Sequence, residues 1–248
     1  MSALLRTDKL CRAFGNLVVT REVSMQIARG ERHALIGPNG AGKTSFVNQL
    51  GGQLRPSSGR ILFKDRDIAG LEPEAICRLG IARTFQKNNL FRGLSVRENV
   101  RLAVQAHRGN PYQALRSTHA DRALWERADE LLAQIGLITG LDRLVSELSY
   151  GEQRQLEIAI ALASDPELLL LDEPTSGMSP VETEQMIELV RRLPATLALL
   201  MIEHDMKVVF SLADQVTVLH YGEVLATGAP HEIQSSSRVR EVYLGGAY

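Results

Sequence analysis

Residues Gly37-Pro38-Asn39-Gly40-Ala41-Gly42-Lys43-Thr44 spell GxxxxGK[ST], with the apolar segment His33 to Ile36 before them and a helical pattern beginning near Lys43 after them. A chain carrying this run must send a strand out of a sheet, turn through glycines, and enter a helix whose first amides converge. At average composition the pattern arises by chance in about one chain in a hundred of this length. Glycines let backbone N–H groups approach phosphate oxygens, and the positive end of the helix dipole favours the anion. In that geometry Lys43 reaches the terminal phosphates of a nucleotide and Thr44 offers its hydroxyl to magnesium. The candidate phosphate-binding set is Gly37, Pro38, Asn39, Gly40, Ala41, Gly42, Lys43, Thr44 and Ser45. The structural alternative is a glycine turn with an exposed lysine, which would not need the strand and helix on either side.

From His33 onward short apolar runs alternate with helical patterns, which predicts an α/β fold with a largely parallel sheet. Between about Lys87 and Ala163 strand signals are scarce. There Leu124, Ala128, Leu131 and Ile135 recur at helical spacing and Gly136 supplies a stop, so this stretch is read as mainly helical. Ser179-Pro180-Val181-Glu182 has the form of a capping box with proline at the first helical position, opening a helix to about Leu193. Thr196 to Ile202 reads as a buried strand, and Val216 to Leu219 with Val224 to Ala226 as an antiparallel hairpin about Gly222. Ser235 to Ser237 reads as a surface linker.

Composition narrows the function classes. At 248 residues the chain can bury the core of one catalytic unit. A net charge of −1 with dispersed basic residues gives no broad attraction for nucleic acid, so no nucleic-acid partner is expected. Cys11 and Cys77 are the only cysteines and lack metal-ligand spacing, which favours two reduced thiols. The N-terminal residues meet Arg6, Asp8, Lys9 and Arg12 too early for a secretory segment, and no apolar run approaches the roughly 20 residues that span a bilayer. Membrane contact would therefore be made through a partner.

Two further segments carry chemistry. Leu168-Leu169-Leu170-Leu171-Asp172-Glu173 has the form of a buried strand that delivers two acids at its carboxyl end, where open parallel sheets place ligands. Asp172 is the candidate for magnesium, directly or through water, and Glu173 the candidate general base for the attacking water. The other segment is Leu148-Ser149-Tyr150-Gly151-Glu152-Gln153. Ser149, Gly151 and Glu152 stand just before a helical stretch, so a hydroxyl and backbone amides again face an anion from a helix start. Taken alone, Ser149 would only cap a helix.

The order of these segments settles which phosphate-loop family they resemble. A Ser-x-Gly segment after a helical stretch, about twenty residues before an acid-ended strand, resembles the signature of ATP-binding cassette proteins, and the likeness covers essentially the whole chain. It implies a P-loop NTPase (RecA-like) core with an antiparallel β subdomain, made from 1–86 and 164–248, and an inserted helical subdomain at 87–163. Gln86, in Arg83-Thr84-Phe85-Gln86, is similar to the family's Q-loop glutamine that touches magnesium and meets the transport subunit. His204 is similar to the switch histidine on the terminal phosphate, and Phe14 to the aromatic that stacks on adenine. Ser179 stands where the family's D-loop usually carries aspartate. Ala82-Arg83-Thr84-Phe85-Gln86, Ile202-Glu203-His204-Asp205-Met206 and Val242-Tyr243-Leu244-Gly245 resemble the branched-chain amino acid importer type.

The resemblance implies an ATPase with ATP and Mg2+ as cofactors and Lys43, Gln86, Glu173 and His204 as its catalytic set. Its implied partners are transmembrane permease subunits, a second cassette ATPase whose site each signature completes, and indirectly an extracytoplasmic substrate-binding protein. A heterodimer is favoured, with a homodimer as the alternative, and the implied location is peripheral on the cytoplasmic face of the inner or plasma membrane. Competing readings are an exporter ATPase of the lipopolysaccharide type, a soluble cassette protein acting on ribosomes or DNA, and a small-molecule kinase or GTPase. The absent NKxD pattern argues against a GTPase, and a kinase gives no reason for the Ser149 segment.

Overall fold

The computed structural model describes residues 3–84, 90–108 and 122–244. The chain begins with β1 (Leu5–Phe14), β2 (Leu17–Val23) and β3 (Gln26–Ile27), then β4 (Arg32–Ile36) and α1 (Lys43–Leu50). Next come β5 (Ser58–Phe63), β6 (Arg66–Asp67), α2 (Pro73–Leu79) and β7 (Ile81–Arg83). A helical stretch follows with α3 (Val96–Arg108), α4 (Arg122–Gln134) and α5 (Tyr150–Leu162). The chain then passes through β8 (Leu168–Asp172), α6 (Pro180–Arg192), β9 (Ala198–Ile202), α7 (Met206–Leu212), β10 (Gln215–His220), β11 (Glu223–Gly228), α8 (Pro230–Ser235) and α9 (Ser237–Leu244).

Among the described residues these strands form two sheets. One is antiparallel, ordered β2-β1-β5-β6 with β3 also on β1. The other is ordered β11-β10-β4-β9-β8-β7 and is parallel throughout except for β11, which pairs antiparallel with β10. The fold is α/β, as the alternation of patterns predicts.

The uninterrupted leucines of β8 follow from burial on both faces. Leu168 and Leu170 enter the core between the two sheets, with Phe46 and Leu50 of α1, while Leu169 and Leu171 enter the core on the opposite face, with α3 to α6. All four are fully buried, each contributing about 1.5–3 kcal/mol by removal from water. β9 divides in the same way: Ala198, Leu200 and Ile202 face one core, Leu199 and Met201 the other. A strand with period-2 side chains and an apolar core on each side has no place for a polar residue until it ends. That is why the acids come only at position 172 and after.

The helical repeat Leu124, Ala128, Leu131 and Ile135 is buried in the second core, and Gly136 closes the helix at φ +85°. α3 lies against α4, where Arg97 and Arg101 stack on Trp125 at 4.9 and 5.1 Å and Arg97 grips Asp129 with two nitrogens. The capping box at Ser179 and Glu182 is present with Pro180 at the first turn of α6. One expectation is corrected. Ser235 to Ser237 is not a linker: Ser235 ends α8 and Ser237 begins α9, with Ser236 Oγ accepting from the amide of Val239 in the turn between. Serine's readiness to cap a helix makes the same three letters serve two helix ends.

Candidate active site

The site sits at the carboxyl ends of three adjacent parallel strands. Register pairs Leu35 of β4 with Ile202 of β9, and Ile202 with Asp172 of β8. The segments that leave these strands, 37–42, 203–205 and 173–175, therefore emerge along one edge. β7 runs parallel beside β8, and the amide of Thr84 donates to Leu170 O at 3.0 Å. The expected Gln86 follows directly from this strand and lies outside the described residues, as do Lys87 and Asn88.

The phosphate loop depends on close backbone packing. A Cβ on Gly37 would stand 2.2 Å from Leu219 O, and one on Gly42 would stand 2.3 Å from Val19 O. Gly42 has φ +99° and precedes α1, so both its conformation and its neighbours exclude a side chain. Gly40 has φ +79° but open space around it. Gly222 N donates to Ala41 O, and Arg21 N donates to Gly222 O, so β2 and the β10–β11 turn brace the loop from outside. Lys43 Nζ donates to Gly37 O at 2.7 Å and Pro38 O at 3.0 Å. Burial lowers its pKa, against the opposing pull of Glu173 and Asp172. Asn39, Gly40 and Thr44 are exposed, Ala41 is buried and Ser45 half-buried.

Asp172 is 1% exposed and carries the clearest mark of an intended ligand. Its Oδ2 accepts from Arg83 Nη2 at 2.8 Å, while its buried Oδ1 has no hydrogen-bond partner among the described residues. A buried carboxylate oxygen left unpaired is costly, and a cation would satisfy it. Among the described residues no group of three His, Cys, Asp or Glu could hold a metal by itself. One carboxylate plus the Thr44 hydroxyl fits magnesium, which takes few protein ligands and completes its shell with phosphate oxygens and water. Glu173 is half-buried at φ +49°, with its amide donating to Ile202 O at 3.0 Å. A left-handed conformation at a non-glycine residue is a strained arrangement of the kind that recurs at functional sites.

His204 is exposed, two residues beyond β9. Phe14 ends β1, is 48% exposed, and has the Arg12 guanidinium 4.4 Å from its ring centroid. No described hydrogen bond ties Phe14 to the phosphate loop, but its strand partner β2 contributes Val19 beside Gly42. The signature residues form a separate cluster. Ser149 caps α5 with Oγ accepting from Glu152 N, and the Glu152 carboxylate accepts from Ser149 N at 2.8 Å and from Arg143 at 3.0 Å. Glu152 thus shapes the helix start, closing the capping box with Ser149. Gly151 N donates to Glu182 at 3.3 Å, and a Cβ on Gly151 would stand 2.8 Å from that carboxylate. Among the described residues no hydrogen bond or ion pair joins Ser149, Gly151 or Glu152 to Gly37–Thr44.

Sequence reasoning quoted Arg83 and Glu203 inside motifs but gave them no part. Arg83 joins Asp172 to Asn48 in α1 and to Gln53 just beyond that helix. Glu203 accepts from the amide and hydroxyl of Thr175 and from the amide of His204. The available signal was an arginine or glutamate adjoining a run of buried strand residues. Its partners are distant in sequence and were not inferable.

Comparison with known proteins gives likenesses over the whole chain. The family described as ABC transporter matches residues 20–176, and that described as branched-chain amino acid ATP-binding cassette transporter matches residues 223–248. The chain is 40% identical to the high-affinity branched-chain amino acid transport ATP-binding protein LivG of Salmonella typhimurium, over 98% of each chain. It is 36% identical to the lipopolysaccharide export system ATP-binding protein LptB of Acidithiobacillus ferridurans, over 100% of this chain and 99% of the relative. A crystal structure of the ADP conformation of MJ1267, an ATP-binding cassette of an ABC transporter, superposes with a TM-score of 0.89 at 29% identity, covering 99% of this chain and 100% of that one.

Proposed function

Because this chain belongs to the ATP-binding cassette transporter family, we propose that it is the ATP-hydrolysing subunit that powers a branched-chain amino acid importer. The observation that carries the catalytic reading is the common edge of β4, β9 and β8, from which Lys43, His204, Asp172 and Glu173 all depart. The transport reading is supported by the LivG relative and by the match of the tail at 223–248.

Phosphoryl transfer to water needs positioning and charge stabilisation more than covalent chemistry. Lys43 exchanges its two loop carbonyls for the β- and γ-phosphates, and backbone N–H groups between Asn39 and Thr44, with Ser45, cradle the same anion. Phe14 offers the face of its ring not covered by Arg12 to adenine. Magnesium would neutralise charge at the phosphate oxygens when bound with ATP, and Thr44, Asp172 and Gln86 are the residues that would hold it. Glu173 accepts the proton of the attacking water, and His204 holds the terminal phosphate. Ser149 and the amide of Gly151 are separate from the chain's own phosphate loop, so they serve the nucleotide of a second cassette subunit. The family resemblance favours a heterodimer for that pair.

The permease contact is assigned to a groove of 410 Å³ between α2, β7, α3 and α5, lined in part by Ile76, Cys77, Ala103, His107 and Ile160. Beyond β7 the ring of Phe91 is 60% exposed while Asn99 clamps its backbone through the amide at 2.9 Å and the carbonyl at 3.1 Å. An apolar side chain on a fixed backbone suits a helix of a membrane subunit. No helix among the described residues is long and apolar enough to cross a membrane. The importer reading itself carries a peripheral location on the cytoplasmic face.

The second reading is an exporter ATPase, favoured by the 36% identity to LptB. Deleting the gene and measuring uptake of labelled leucine separates the two. Loss of uptake restored by the wild-type gene, and not by Lys43→Ala, is expected. Intact uptake with failed lipopolysaccharide transport would establish the exporter reading instead.

A further inference from the structure

Glu203 is 1% exposed and makes no salt bridge among the described residues. Its Oε1 accepts from the Thr175 amide at 3.1 Å and the Thr175 hydroxyl at 2.7 Å, and its Oε2 accepts from the His204 amide at 3.2 Å. Three donors thus converge on two oxygens. A carboxyl group offers acceptors to all three, whereas glutamine has one acceptor oxygen and its NH2 would face an N–H. Desolvation raises the pKa of this carboxyl against those same hydrogen bonds. A buried anion with no cationic partner is a poor device for stability, since apolar packing would fill the space without the desolvation cost.

The donors also identify what the anion joins. Thr175 belongs to the tight turn after β8, in which Ser176 N donates to Glu173 O and Met178 N to Thr175 O. That turn begins at Glu173 and ends at Ser179, the N-cap of α6. His204 stands on the other side, on the segment leaving β9. We propose that Glu203 is a positioning residue for hydrolysis, fixing His204 and the turn that starts at Glu173 in one register through its two oxygens. The inference rests on the roles given above to Glu173 and His204. It also supplies a physical tie between the group that contacts the terminal phosphate and the segment that leads to Ser179 and, through Glu182, to Gly151 of the signature.

The test is phosphate release from ATP by the full chain in the assembled pair of cassette subunits, with wild type, Glu203→Gln, Thr175→Val, the double variant and His204→Ala. Glu203→Gln is expected to lower kcat by about tenfold or more while KM and the affinity for a fluorescent ATP analogue stay within about twofold, because the phosphate loop is untouched. Thr175→Val, which removes one donor, should lower kcat by about threefold, and the double variant should be no slower than Glu203→Gln alone. A kcat within about twofold of wild type in Glu203→Gln, or nucleotide affinity falling in step with thermal stability, overturns the inference. If Glu203→Gln does not fold, Thr175→Val decides, and an unchanged kcat there overturns it equally. Inactive His204→Ala beside fully active Glu203→Gln would remove the role of Glu203 alone. Fully active His204→Ala would remove the assignment of the site itself.

Discussion

Replacing Arg83 with alanine should unfold the protein far more readily than its place at the end of a three-residue strand suggests. The Arg83 and Asp172 side chains are 9% and 1% exposed, and the guanidinium also donates to Asn48 at 2.6 Å and Gln53 at 3.0 Å. Removing one partner of a buried pair leaves an uncompensated charge, which costs about 3–5 kcal/mol. At about 2–4 °C per kcal/mol for a domain of this size, the thermal midpoint should fall by roughly 6–20 °C. Thermal unfolding followed by circular dichroism, with the fluorescence of Trp125 as a second probe, measures it, and urea unfolding gives the free energy. The double variant Arg83→Met, Asp172→Asn removes both charges and should lose less stability than Arg83→Ala, by about 1–3 kcal/mol. An Arg83→Ala protein within about 1 kcal/mol of wild type, or a double variant less stable than the single, would refute the claim that this pair neutralises a buried acid.

Four further outcomes follow from the site. Gly42→Ala should cost about 1–3 kcal/mol in backbone strain and, with Val19 O 2.3 Å from the new Cβ, should abolish binding of a fluorescent ATP analogue. Gly40→Ala, with open space around it, should keep binding and lose only about 1–2 kcal/mol. Ser149→Ala removes a helix cap worth about 1 kcal/mol, a shift of about 2–4 °C in thermal midpoint, yet should nearly eliminate hydrolysis in the assembled pair. Equal small losses in both would reduce Ser149 to a cap. Desolvation raises the Glu203 pKa, so its contribution to stability is full below the ordinary carboxyl value and is lost as pH rises through the raised one. The stability of wild type relative to Glu203→Gln should therefore fall on going from pH 4 to pH 7, roughly across the ordinary carboxyl range and above it, and a difference that grew with pH would contradict the assignment.

What could be read from the sequence was whatever is local. The phosphate loop, the four leucines of β8 and the Ser179–Glu182 box each carry their physics within a few residues, through φ requirements, burial on two faces and helix capping. Phe14 was legible only by resemblance, because a lone aromatic at a strand end has no local signature, and β1 to β3 and β5 were not read as strands before the fold. The contacts that organise the acids were hidden for another reason. Arg83 reaches Asp172 across 89 positions and Glu203 reaches Thr175 across 28, and these meetings depend on strand order, which periodicity does not contain. Ser235 to Ser237 misled because serine is equally at home in a loop and at a helix end.

The proposed hydrolysis depends on Glu173 as the base of a site that a second subunit completes. Its most direct test measures phosphate release and ATP-dependent association for wild type and Glu173→Gln, with and without a related cassette ATPase. The account predicts that Glu173→Gln releases no phosphate yet accumulates as an ATP-bound dimer, with the preferred partner revealed by which mixture traps it. Continued hydrolysis by Glu173→Gln, or an ATP-bound monomer in every mixture, would contradict it.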